Sequence, residues 1–256
     1  FLCMQRNTIF LCLLGGSLIG IGFYFGISWG VNYRKRRRIG YCLKKSRELC
    51  DNGNEEDILC GMKLLREARS LKSIEASYRL GLCYKFRENR EEVALKLFQE
   101  ALESGHHESA YQLYLLYRSN RYSITQNDTL AEKYLEEAIL LGNVEAMVQK
   151  AKNILRCYVS DRPNTISIAI ELLENAVDSN NSEAMTLLAY CYKEGIGKEV
   201  NASKVVDLYE KAALLNNPIA LYRLSEGYLK GLWGLAVDEE KSSKYKEQAI
   251  SIDPSV

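Results

Sequence analysis

Small, bulky and polar positions recur along this chain in a fixed order. ALKLFQEAL at 94–102 has counterparts in GMKLLREAR from 61, AEKYLEEAI from 131, AIELLENAV from 169, VVDLYEKAA from 205 and SSKYKEQAI from 242. Each opens on a small or short residue (Gly61, Ala94, Ala131, Ala169, Val205, Ser242) and carries a bulky one three later (Leu64, Leu97, Tyr134, Leu172, Leu208, Tyr245). Seven after the opening stands an alanine: Ala68, Ala101, Ala138, Ala176, Ala212 or Ala249. Residues at i, i+3 and i+7 share one face of an α-helix, so every copy predicts a helix that another helix can approach closely at its alanine. The copies are 33 to 38 residues apart, a period that indicates stacked helical hairpins.

An earlier helix is predicted in each period. In 183–204 it carries Ala184, Leu188 and Tyr192, in 219–241 Ala220, Leu224 and Tyr228, and in 75–86 Ala76, Leu80 and Tyr84. The first two end at glycine pairs, Gly195 with Gly197 and Gly231 with Gly234, which suit the positive φ of a helix stop. Asn201 and Asp238 follow as caps for the next helix.

The stretch from Thr8 to Tyr33 contains no charged side chain and ends against Arg34, Lys35, Arg36, Arg37 and Arg38. It exceeds the roughly 20 residues that span a bilayer core, so 8–33 is expected to be a retained transmembrane signal-anchor helix. Residues 1–7 would then form a short tail, 34–38 a basic cytosolic flank, 39–251 the repeat domain and 252–256 a C-terminal tail. Gly16, Gly20, Gly22, Gly26 and Gly30 follow small-xxx-small spacing, the pattern of a contact with a partner transmembrane helix. The chain starts with Phe1, and Met4 is a candidate start.

The repeat pattern, A-x3-L-(G/A/S)-x2-Y-x2-G-x-G followed by a capped helix with K-A-x2-(W/L/Y)-x3-A-A, resembles the Sel-like repeat (SLR), a tetratricopeptide-like family. Residues 183–215 carry nearly all of it and 219–251 match with one extra loop residue. Residues 75–104, 108–141 and 145–178 match mainly in the second helix, and 40–70 forms a degenerate starting pair. The resemblance implies an all-α, right-handed α-solenoid of about six helix-turn-helix repeats, preceded here by the transmembrane helix. It also implies a non-enzymatic adaptor whose superhelical surface holds other proteins. Separately, the glycine-rich anchor followed by RKRRR is similar in composition to the signal-anchors of mitochondrial outer-membrane proteins, including a small presequence receptor, which favours that membrane over an endoplasmic-reticulum or bacterial inner membrane.

In a tetratricopeptide-like stack the first helix of each pair lines the concave side. Arg79, Gln112, Gln149, Lys150, Arg223 and Glu226 are therefore the candidate protein-binding residues. Net charge is +1, but Arg6 and the five residues of RKRRR hold six of the 34 basic side chains. Setting those aside leaves 28 against 33 acidic ones, a balance that disfavours nucleic acid as a partner.

No catalytic constellation, cofactor motif or metal-ligand spacing is found. The two histidines, His106 and His107, are adjacent in a predicted turn, and neither a phosphate loop nor a dinucleotide fingerprint occurs. The eight cysteines include no C-x-x-C; Cys50 and Cys60 alone have a spacing that suits a bridge between antiparallel helices. Asn127, Asn180 and Asn201 open N-x-S/T sequons at predicted caps or turns. Three expectations stay open: a membrane-anchored adaptor, a structural subunit of a large membrane complex, and a luminal or secreted repeat protein in quality control or host interaction.

Overall fold

The computed structural model describes residues 18–51, 53–85, 90–119, 126–157 and 163–255, with side chains from Val31 onward. Twelve α-helices fill them: α1 Leu18–Asp51, α2 Glu55–Ser70, α3 Ile74–Lys85, α4 Glu91–Glu103, α5 Glu108–Arg118, α6 Asp128–Leu140, α7 Val144–Arg156, α8 Pro163–Asp178, α9 Ser182–Glu194, α10 Ala202–Leu214, α11 Pro218–Lys230 and α12 Glu239–Ile252. They pair in chain order as six hairpins, α1 with α2 through α11 with α12. The expected helical repeats are therefore present.

Local sequence chemistry starts and stops these helices. Asn54, Asn127, Asn143, Asn181, Asn201, Asn217 and Asp238 each occupy an N-cap and accept a hydrogen bond from the backbone N–H three residues on. Gly195 (φ 72°) and Gly231 (φ 66°) close α9 and α11 in the left-handed conformation, as their sequence predicts. Asn127 and Asn201 of the sequons are thus occupied as caps, and Asn180 is itself left-handed at φ 57°.

The hairpins divide into two compact units, α1–α4 and α5–α12. In each, the alanine of every second helix is sealed: Ala68 and Ala101 in the first unit, Ala138, Ala176, Ala212 and Ala249 in the second, none more than 1% exposed. The core of the first unit gathers Cys42, Met62, Leu65, Leu80 and Leu97 around Ala68 and Ala76. That of the second runs from Val148 on α7 to Ala249 on α12, through Leu173, Leu188, Leu208, Leu221 and Leu224. Successive hairpins within a unit share the core, which is how a repeat too thin to bury its own apolar face becomes stable.

The expected transmembrane helix is not found. No helix of the described residues is long and apolar enough to cross a membrane. Its first part, 8–17, lies outside the described residues with the tail 1–7 and Gly16. From Leu18 the apolar sequence lasts only to Tyr33, roughly 24 Å at 1.5 Å per residue and short of a bilayer core. Helix α1 then continues unbroken through the five basic residues to Asp51, so 34–38 lies in the middle of a helix. Arg38 turns back into the repeat, donating from Nε and Nη2 along one guanidinium edge to the two carboxylate oxygens of Glu67 on α2 at 2.5 and 2.9 Å. Gly20, Gly22, Gly26 and Gly30 lie on this helix with no membrane span to place them in. The cysteines of the described residues are unbridged, Cys50 and Cys60 included.

Candidate protein-binding face

The first helices of the second unit, α5, α7, α9 and α11, share a register set by one small buried residue each: Ser109, Ala146, Ala184 and Ala220. On α3 of the first unit Ala76 holds the same position. Three residues further on stand Gln112, Gln149, Leu187 and Arg223, with Arg79 on α3. Six further on stand Leu115, Lys152, Tyr190 and Glu226. Gln112, Gln149 and Arg223 therefore occupy equivalent places on one side of the second unit and Glu226 the neighbouring slot on α11, with Arg223 exposed and the other three half-buried.

The remaining two candidates are placed differently. Arg79 is only 23% exposed; it pairs with Glu75 on its own helix and donates from its terminal nitrogen to the Leu43 carbonyl on α1 at 3.3 Å. It fastens the first two hairpins together. Lys150 stands four residues after Ala146, where Leu188 follows Ala184 and Leu224 follows Ala220. It fills a core slot, with its ammonium bound by Glu132 and by Glu136 of α6, the latter at 2.6 Å.

On α11 the polar candidates satisfy one another. Arg223 reaches Glu226 at 2.8 Å and Lys230 reaches it at 3.5 Å. Partial desolvation works to raise the Glu226 carboxyl, but the Arg223 hydrogen bond and the two cations hold it below the usual carboxylate range.

Sequence reasoning missed the apolar part of this face. Between α7 and α9 runs a groove of about 500 Å³ lined by Gln149, Lys152, Leu155, Arg156, Leu187 and Tyr190. Lys152 pairs with Glu183 across the two helices, and Gln149 donates to Asn153 at 3.0 Å. Tyr190 is 43% exposed, with the Lys193 ammonium 5.9 Å from its ring centre. Tyr111 of α5 feels Glu145 and Glu183: burial first, then Tyr114 and these carboxylates, pushes its hydroxyl up to about 12. Leu187 and Tyr190 lay inside LLAYCY, where a sequence gives no way to tell an exposed apolar side chain from a core one.

His106 is also placed more firmly than its turn suggested. Its ring stacks on Tyr78 at 4.1 Å and its Nε2 lies 3.2 Å from Glu75. Among the described residues no three His, Cys, Asp or Glu side chains come together in a way that can hold a metal ion.

Residues 182–217 and 218–251 match the Sel1 repeat, and 62–129 match the plant tetratrico peptide repeats. No curated protein sequence matches the chain. Among solved structures it is similar to a Sel1 repeat protein from Oxalobacter formigenes, with 18% identity and a TM-score of 0.73 over 84% of this chain and 88% of that one. A protective antigen of uropathogenic Escherichia coli strains, displaying an SLR fold, gives 19% identity and a TM-score of 0.70 over 83% of this chain. There the match spans only 45% of the other protein's length. An immunity protein from Pseudomonas aeruginosa gives 19% identity and a TM-score of 0.56, with 84% of each chain covered. At these identities the likeness is one of fold, and it extends the repeat architecture beyond the two segments that match the Sel1 repeat to most of the chain.

Proposed function

We propose that this protein is a non-enzymatic interaction scaffold, in which the first-helix side of the second unit receives another protein. The observation that carries this reading is the equivalence of Gln112, Gln149, Leu187 and Arg223. Four successive repeats hold Gln, Gln, Leu and Arg in the same structural slot, three residues after a small buried residue that all four share. A shared scaffold with divergent outward positions is how a repeat array builds specificity for a protein surface.

Site-specific photo-crosslinking in native host cells tests the reading. A benzoylphenylalanine at 112, 149 or 223 is expected to give one discrete adduct band, and the same probe at the exposed second-helix positions 204 or 210 none. Adducts of equal strength from both sides, or from neither, would overturn it.

A further inference from the structure

The groove between α7 and α9 differs from the rest of the first-helix side in both hydrophobicity and charge. The outward slots hold Gln112, Gln149, Leu187 and Arg223 and the next slots Leu115, Lys152, Tyr190 and Glu226, so of these four helices α9 alone is apolar at both. Leu155 faces them from α7, so three apolar side chains meet in one groove. The other lining groups are Gln149, Lys152 and Arg156: two cations and no carboxylate. Lys152 is already compensated by Glu183, whereas Arg156 is exposed and has no ion-pair partner among the described residues. This is a positive apolar groove in a chain whose residues from 39 onward are acidic on balance.

A large exposed aromatic ring beside two aliphatic side chains loses free energy to water unless something covers it. The volume, about 500 Å³, lies in the range of clefts that enclose most of a bound ligand. It exceeds what one side chain needs, and it runs between two neighbouring helices, so an extended chain can lie along it. Arg156 at the groove's edge selects the charge of the occupant, since a carboxylate there gains an uncompensated guanidinium while a second cation meets repulsion.

We infer that this groove holds an extended segment of a partner protein in which a bulky apolar side chain lies within a few residues of an acidic one. The apolar side chain covers Leu155, Leu187 and Tyr190, the carboxylate pairs with Arg156, and the amide of Gln149 meets the segment's backbone. The inference rests on the scaffold reading and narrows it to one groove and one chemistry.

The test is a random dodecapeptide library displayed on phage, panned against the full chain and counter-selected on the Tyr190→Ala variant. Selected peptides are then synthesised with a fluorescein label and measured by polarisation. Enrichment of Asp or Glu beside Leu, Ile, Phe or Trp is expected. Tyr190→Ala and Arg156→Glu should each weaken binding by about tenfold or more, and Glu240→Lys on α12 should leave it unchanged. Tyr190, Arg156 and Glu240 are all exposed, so circular dichroism should report an intact fold for each variant. Enrichment of basic or uncharged peptides, binding indifferent to Arg156→Glu, or no selected binder would each overturn the assignment. So would self-association of the chain that Tyr190→Lys abolishes, since the groove would then hold a second copy. Crosslinks from 112, 149 and 223 together with any of these negative results would leave the scaffold standing and remove only the acidic segment from this groove.

Discussion

Trp233 occupies the space that a side chain on Gly227 would need. A Cβ added at Gly227 would lie 2.9 Å from the indole Cζ3 and 3.0 Å from a methyl of Leu235, inside van der Waals contact. The indole in turn packs on Tyr209, with ring centres 5.5 Å apart. Trp233 holds this position in a left-handed conformation (φ 56°), which is uncommon for a bulky residue and is sustained here by the packing on both sides of it.

A contrast between two helical glycines follows. Gly227→Ala gains helix propensity but drives the methyl into Trp233 and Leu235, and should lower stability by about 1–2 kcal/mol, with Gly227→Leu worse. Gly40 on α1 has nothing within 4 Å of an added Cβ, so Gly40→Ala should raise stability by about 0.5–1 kcal/mol. Urea denaturation of the two variants decides this; equal effects would mean that the Trp233 contact does not constrain the loop.

The asparagine caps make a second prediction. Asn201 accepts from the Lys204 N–H at 3.0 Å and Asn217 from the Ala220 N–H at 3.0 Å. Replacing either by alanine leaves an orphan donor at a helix start and should cost about 1 kcal/mol, while replacement by aspartate or serine should cost far less. The ordering Asn, Asp and Ser above Ala in thermal melts is the readout. A flat series would show that these helix starts are held by tertiary packing alone.

How much of this was legible beforehand depended on whether a residue's role repeats. The alanine at the eighth position of each repeated segment, the asparagine caps and the two glycine stops are fixed by local backbone geometry and close helix contact, and the sequence displays them in register. Lys150 shows the opposite case. Counted from Ala146 it falls in the leucine slot, so its burial was readable, but its polarity argued for an outward position. Leu187 and Tyr190 were hidden because exposure depends on neighbouring helices that periodicity does not place. The apolar run before Arg34 was long enough to suggest a membrane span, but within the described residues its apolar part, Leu18 to Tyr33, is too short for one and α1 continues through the basic residues.

Alkaline pH should unfold the second unit. Burial pushes the Cys191 thiol up to about 11 and the Tyr209 hydroxyl up to about 12. In the unfolded chain these groups lose protons near 8.5 and 10, so above those values the unfolded state sheds protons that the folded state keeps. The stabilisation is whole below about pH 8.5 and is lost as pH climbs through 11 and 12. Melting temperature should hold from pH 7 to 8.5 and fall increasingly beyond. Cys191→Ala should melt lower at pH 7, because it opens a cavity, yet show a shallower decline between pH 8.5 and 10. A parallel decline would assign the loss to other groups.

The last prediction concerns Lys150, a cation in a slot that holds leucine in other repeats. Its side chain is 19% exposed, and both partners, Glu132 and Glu136, are about half exposed. Pairs with exposed carboxylates contribute little, roughly 0–1 kcal/mol each, whereas the lysine stem is already packed and its ammonium partly desolvated. Leucine keeps the packing and removes the desolvation cost, so Lys150→Leu should be neutral or stabilising by up to about 1 kcal/mol. Lys150→Glu should cost about 2 kcal/mol by placing three carboxylates together. Raising salt from 0.05 to 1 M should weaken the wild type more than Lys150→Leu, because only the former relies on ion pairs at this place. A loss above 1 kcal/mol in Lys150→Leu would show that the Glu132–Lys150–Glu136 triad joins α6 to α7. Because Lys150 points into the stack, Lys150→Leu should also leave the affinity of any peptide selected on the α7–α9 groove unchanged, which separates the two neighbouring residues Gln149 and Lys150 by role.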